Sequence, residues 1–195
     1  MSLAAQTINS RLLPYRQIDE RNDVINSFAS ADDNTLVGGS FVKITVSDPS
    51  NPEGFSSDNV GGSYQGTWSK RFKVNGKIAP AEEGDTIHDV LGVTLYGAYI
   101  NDPNGDRLEV RHELMRSLQV VLPWMAIPVV TRGVITLTSD AYTGTPAVNR
   151  PAIIDSTSGK IAFTASPADD NLVVGRALSV EGSEHGGFVI FQLRL

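Results

Sequence analysis

Phe188-Val189-Ile190-Phe191-Gln192-Leu193-Arg194-Leu195, at the C-terminal end of the sequence, is the stretch that decides the fold. Val189, Phe191, Leu193 and Leu195 fall on one side of an extended chain, while the other side runs from Phe188 and Ile190 to Gln192 and Arg194. A period of two with one apolar face is the signature of a half-buried β-strand. Working back from it, Val134 to Thr138, Ala152 to Ile154, Lys160 to Thr164 and Leu172 to Leu178 repeat the pattern between Gly, Asp, Asn and Pro turns. Strands this short and this closely spaced, with no helix between them, predict an antiparallel sandwich or barrel.

The same reading extends toward the N-terminus. Phe41 to Val46 alternates with Val42, Ile44 and Val46 on one side. Trp68, Phe72 and Val74 share a face ahead of an Asn75-Gly76 turn, and Leu91, Val93, Leu95 and Tyr99 repeat it, with Gly97 predicted as a bulge or a close contact. Arg107 to Gln119 breaks the pattern, because Val110, Leu114 and Leu118 recur every four residues and predict a short helix. Val120 to Val130 resumes an extended run, and Pro123 and Pro128 predict that it lies at an edge or a bend. Residues 48–65, rich in Pro, Gly and Ser, read as a long surface loop.

The fold class that follows is mainly β: an antiparallel β-sandwich or barrel body with an extended N-terminal arm and at most one or two short helices. Residues 1–27 form the arm and 28–195 the body, with a division into 28–128 and 129–195 left open. Within the arm, Leu12, Leu13, Pro14 and Tyr15 form an apolar island that needs a surface to lie against, which makes them the candidate contact residues.

Composition narrows the function. Lys and Arg total 16 against 22 Asp and Glu, and they are scattered, so no concentrated basic face for nucleic acid is expected. With no cysteine there is no disulfide, thiolate nucleophile or cysteine zinc site. No stretch approaches the ~20 apolar residues that span a bilayer, and residues 1–10 do not read as a secretory leader, so the expectation is a chain made and kept in the cytosol or released by lysis.

Reactive arrangements are weak. His88, His112 and His185 have no partner at ligand spacing, and no Gly-x-Ser-x-Gly elbow is present. Asp102, Asn104, Asp106 and Glu113 occupy positions one, three, five and twelve of a calcium loop, but Arg107 stands where the sharp bend needs Gly and Pro103 stiffens the entry. Glu82-Glu83-Gly84-Asp85 and Asp169-Asp170-Asn171 read as solvated turns rather than paired catalytic carboxylates. Gly38-Gly39 and Gly61-Gly62 lack the lysine or helix of a phosphate cradle. The expectation is no enzyme, no metal and no cofactor.

The order of the segments carries a resemblance. A Gly-Val-Ile-Thr-Leu strand, a Ser-Gly-Lys-Ile strand, Val174-Gly175-Arg176-Ala177-Leu178, a Gly-rich loop and a closing Phe-Val-Ile-Phe-Gln-Leu strand resemble the capsid decoration (cement) proteins of tailed bacteriophages. Asp23 to Ala29 with Gly38-Gly39-Ser40-Phe41-Val42 is similar to that family's opening, an arm that leads into the first strand. The resemblance implies a structural virion protein on the outer capsid surface, bridging major capsid protein subunits, often as a homotrimer. It also implies that Leu12, Leu13, Pro14 and Tyr15 dock on the capsid or on the next decoration subunit. The alternative is a receptor- or glycan-binding module of a phage fibre, with Tyr15, Trp68, Tyr96, Tyr99 and Trp124 as candidate stacking residues.

Overall fold

The computed structural model of the chain describes residues 24–30, 36–46, 76–102, 104–123, 125–155, 159–180 and 187–193. Leu12 to Tyr15, the loop 48–65, the Trp68 to Val74 segment, Trp124 and His185 lie outside these residues. The described strands are β1 (Val24–Ser30), β2 (Phe41–Val46), β3 (Gly76–Pro80), β4 (Val90–Thr94), β5 (Gly97–Ala98), β6 (Val120–Val121), β7 (Ile127–Arg132), β8 (Val134–Leu137), β9 (Tyr142–Gly144), β10 (Pro151–Ile154), β11 (Ile161–Phe163), β12 (Gly175–Val180) and β13 (Val189–Leu193). The one α-helix among the described residues, α1, is His112–Leu118. The molecule is mainly β, as the alternation predicts.

Two layers result. β1, β3, β2, β4 and β7 close into a barrel, and β8, β13, β12, β10, β11 and β9 form a six-stranded sheet in that order. Most neighbours are antiparallel, but β1 with β3, β5 with β6 and β11 with β9 run parallel. Alternation explains how the layers join. Val42, Ile78, Ile127 and Val129 fill the barrel with Leu36 and Ala98, while Phe41, Val90, Val93 and Val130 face out of it. Those outward residues share one apolar cluster with Ile135, Leu137, Ala152, Ile154, Ile161, Phe163, Ala177, Val189, Phe191 and Leu193 of the sheet. The 128/129 division falls inside β7.

Phe191 sits at the centre of that shared core. Its ring meets Phe41 of the barrel edge-on at 5.8 Å and Phe163 of the sheet at 6.2 Å, and Phe163 in turn meets Tyr142 at 5.3 Å. Room for the ring comes from Gly175 on the neighbouring strand, where an added Cβ would lie 2.3 Å from Phe191 Cζ and 2.4 Å from the Gln192 carbonyl oxygen. Read as a strand with a glycine bulge, Gly175 to Leu178 does carry a register shift, but it falls between Ala177 and Ser179 and not at the glycine. Gly175 makes room for both the Phe191 ring and the Gln192 backbone carbonyl.

Local chemistry moves several boundaries. The predicted strand from Leu172 begins instead as a 3-10 turn, Asp170–Leu172, because the Asp169 side chain accepts the Asn171 N–H at 2.9 Å and caps it. The run from Val120 to Val130 does bend at Pro123, where the Met125 N–H donates to the Leu122 carbonyl at 2.9 Å, but Pro128 lies within β7, which pairs with β1 on one side and β4 on the other. Its carbonyl accepts the Leu95 N–H at 2.9 Å, and the ladder with β4 resumes only at Thr94 and Val129, so the missing proline donor falls where that ladder has ended. Gly97 is a close contact, its would-be Cβ only 2.5 Å from the Tyr99 ring. The bulge of this region lies between Val42 and Lys43 in the pairing of β2 with β4. α1 covers a small third cluster of Leu108, Met115, Val120 and Leu122.

Gly175→Val should cost about 2–3 kcal/mol through overpacking, and Phe191→Ala about 3–5 kcal/mol through the cavity it leaves. Urea unfolding monitored by circular dichroism measures both; a midpoint unchanged in Gly175→Val would show that the ring does not need that space.

Candidate functional site

Charge gathers where the barrel strand β2 meets the turn that follows β3. Lys43 Nζ lies 3.0 Å from Glu82 Oε2 and 3.2 Å from Asp85, while Asp85 Oδ2 also accepts the Glu82 N–H at 2.7 Å. One turn on, Asp89 Oδ2 accepts both the Thr86 N–H at 3.0 Å and the Thr86 hydroxyl at 2.7 Å. Lys43, Ile44, Asp85, His88, Asp89, Val90 and Leu91 line a shallow depression of about 430 Å³. Ile44 is 47% exposed there, so the floor is partly apolar.

The electrostatics do not arm this cluster for catalysis. Burial works against the Lys43 charge, but hydrogen bonds to Glu82 and Asp85 and the pull of both carboxylates outweigh it and hold the ammonium above the ordinary lysine range. A lysine kept protonated is no nucleophile. Asp89 is held below the usual carboxylate range, chiefly by the Thr86 hydroxyl and then by the Thr86 N–H. Both carboxylates are structural acceptors in turns. The sequence reading takes Glu82-Glu83-Gly84-Asp85 as a solvated turn; what it misses is Lys43, some forty residues away and brought over by the pairing of β2 with β3. The Asp at the third place after Glu82 signals the turn, but nothing local signals its cation.

The calcium-like loop is also internally satisfied. Asp102 Oδ1 accepts the N–H groups of Asn104 at 2.9 Å and Asp106 at 2.8 Å, folding the loop around its own carboxylate. Arg111 then supplies the positive charge, 2.7 Å from Asp106 Oδ2 and 3.8 Å from Asp102 Oδ2. Glu113 lies in the first turn of α1. Among the described residues, no group of three or more His, Asp or Glu is placed to hold a metal ion.

His88 and His112 are both exposed, on the turn before β4 and at the start of α1. Of the aromatic residues considered for stacking, Tyr99 packs against the cluster under α1 and Tyr96 is 39% exposed, while Tyr15, Trp68 and Trp124 lie outside the described residues. Asp169 caps a 3-10 turn. No helix among the described residues is long and apolar enough to cross a membrane.

The chain matches no protein-family model and no curated protein.

Two outcomes follow. Calorimetric titration with millimolar calcium should give no binding heat, since Arg111 already neutralises the Asp102 loop; saturable heat abolished by Asp106→Asn would overturn this. The second concerns alkaline pH. The Lys43 pKa is raised by its partners and the Tyr142 phenol by desolvation, so the stability each contributes is full below its unfolded-state pKa and is lost as pH climbs through the folded value. Stability should therefore fall above about pH 10, with a shallower slope in Lys43→Met, which itself should cost no more than about 1 kcal/mol at neutral pH. Parallel pH profiles of the two proteins in urea would expose an incorrect assignment.

Proposed function

We propose that this chain is a structural virion protein that binds the outer surface of a tailed-phage capsid and stabilises it by bridging major capsid protein subunits. The observation that supports the reading is where the C-terminal segments of the resemblance fall; the N-terminal ones belong to β1 and β2 of the barrel. Gly133 to Leu137, Ser158 to Ile161, Val174 to Leu178 and Phe188 to Leu193 are scattered along the sequence, yet their strands β8, β11, β12 and β13 belong to one sheet, with β10 completing the order β8-β13-β12-β10-β11. The C-terminal segments on which the resemblance rests thus come from a single sheet. Their matched residues also have structural work there: Gly175 admits the Phe191 ring, Ala177 is fully buried, and Arg176 donates Nε–H to Gln192 Oε1 at 3.1 Å.

A decoration protein needs a stable scaffold and a contact element rather than a reactive hollow. The barrel and sheet provide the first. Leu12, Leu13, Pro14 and Tyr15 provide the second in this reading, docking on the capsid or on the neighbouring decoration subunit, with a homotrimer at a local threefold position as the favoured assembly. The carboxylates of the 82–89 turn and of the 102–113 segment keep the outer surface solvated.

Deleting residues 1–20 should abolish co-sedimentation with expanded shells of the cognate phage, while circular dichroism of the truncated chain stays that of a β protein. Shell occupancy equal to that of the full chain would remove the arm from the proposal, and a virion density map without this chain on its shell would remove the capsid.

A further inference from the structure

The side of the six-stranded sheet that faces away from the barrel has an unusual composition. With Ile135, Leu137, Ala152, Ile154, Ile161, Phe163, Val189 and Phe191 turned inward, strand alternation turns Val134, Pro151, Ile153, Ala162 and Ile190 outward, beside the polar Thr136, Arg176 and Gln192. The five apolar residues are half-buried and belong to none of the three apolar clusters. Arg176 is the only charged residue in all six strands, although the chain carries a net charge of -6. An antiparallel sheet with a solvated face normally alternates apolar with polar and charged residues. This face is built to be covered.

The path of the chain says by what. Val24, at the start of β1, pairs with Arg132 at the end of β7, and β8 begins two residues later at Val134. β1 therefore begins beside the β8 border of the sheet. On that border Thr136, turned outward by the same alternation, is only 2% exposed. Eight residues lie between Tyr15 and Val24, a reach of up to about 30 Å over nine Cα steps, whereas six strands span about 24 Å. Between them lie Asp19, Glu20 and Asp23 together with Arg16 and Arg21, a tether of mixed charge that carries no repulsion from Arg176 strong enough to bar the approach.

The geometry points to the outer face of the six-stranded sheet as the seat of the chain's own Leu12-Leu13-Pro14-Tyr15 island. A short tether keeps the island at an effective concentration of roughly millimolar at this face, so the contact within one chain wins over the same contact between copies. The island is thereby stowed against its own sheet in the isolated chain. This inference does not depend on the capsid reading, since it concerns the isolated chain.

The chain has no cysteine, so an introduced pair reports directly. Leu13→Cys combined with Ile153→Cys, oxidised in the purified full-length protein without any shell, should give one reducible disulfide within a single chain, read by mass and by non-reducing electrophoresis. Disulfide-linked dimers would replace the proposal with an exchange between copies, and two unreacted thiols would overturn it. A second variant leaves the body untouched: Leu12→Ser with Leu13→Ser should raise the fluorescence of an apolar-surface dye several-fold as the face is uncovered. Unchanged dye binding would refute the stowed arrangement even if shell binding by the same chain were demonstrated.

Discussion

Phe191 holds the two layers to each other. A barrel and a sheet each close their own hydrogen bonds, so nothing in the backbone ladders of either obliges them to meet; side-chain burial has to do it. Phe191 supplies the centre of that burial by reaching Phe41 on the barrel and Phe163 on the sheet, edge to face in both cases, the arrangement that aromatic quadrupoles favour. The same ring dictates glycine at 175 and lies beside fully buried Ala177 and Val189. One aromatic residue on β13, the last described strand, thus constrains a barrel strand, a sheet strand and a neighbouring backbone at once.

The chain path reinforces this junction. β7 closes the barrel against β1 and β4, passes through Gly133, and continues as β8 of the sheet, so the two layers share a nearly continuous strand. A further tie runs from the loop before β11, where the Gly159 carbonyl accepts the Phe41 N–H at 2.9 Å. Acidic residues are kept to turns and to the segment around α1, while the sheet strands hold one charge between them. Among the described residues the sheet strands thus present a nearly uncharged surface, which is the physical basis of the stowed-arm proposal.

The polar clusters show why ionisable residues in sequence are poor guides to chemistry. Asp102, Asn104, Asp106 and Glu113 have the spacing of a calcium loop, yet Asp102 spends its carboxylate on two backbone N–H groups and Arg111 neutralises the remainder. The failure of that motif was legible beforehand in Arg107 and Pro103. The Lys43 cluster was not legible, because its members lie on two different elements and only the pairing of β2 with β3 unites them.

Alternation in the sequence by itself determined the β class, the strand at Phe41 to Val46, the inward side of Val189, Phe191 and Leu193, and the helical turn near Leu114, because each rests on a period local to a few residues. Which strands become neighbours was decided only in three dimensions. Nothing local states that β1 closes a barrel through a parallel contact with β3, that Pro128 is tolerated between two partners, or that Gly175 answers to a ring sixteen residues away. Those outcomes depend on shape complementarity between segments far apart in the chain, and packing density, unlike periodicity, is a property of the assembled core.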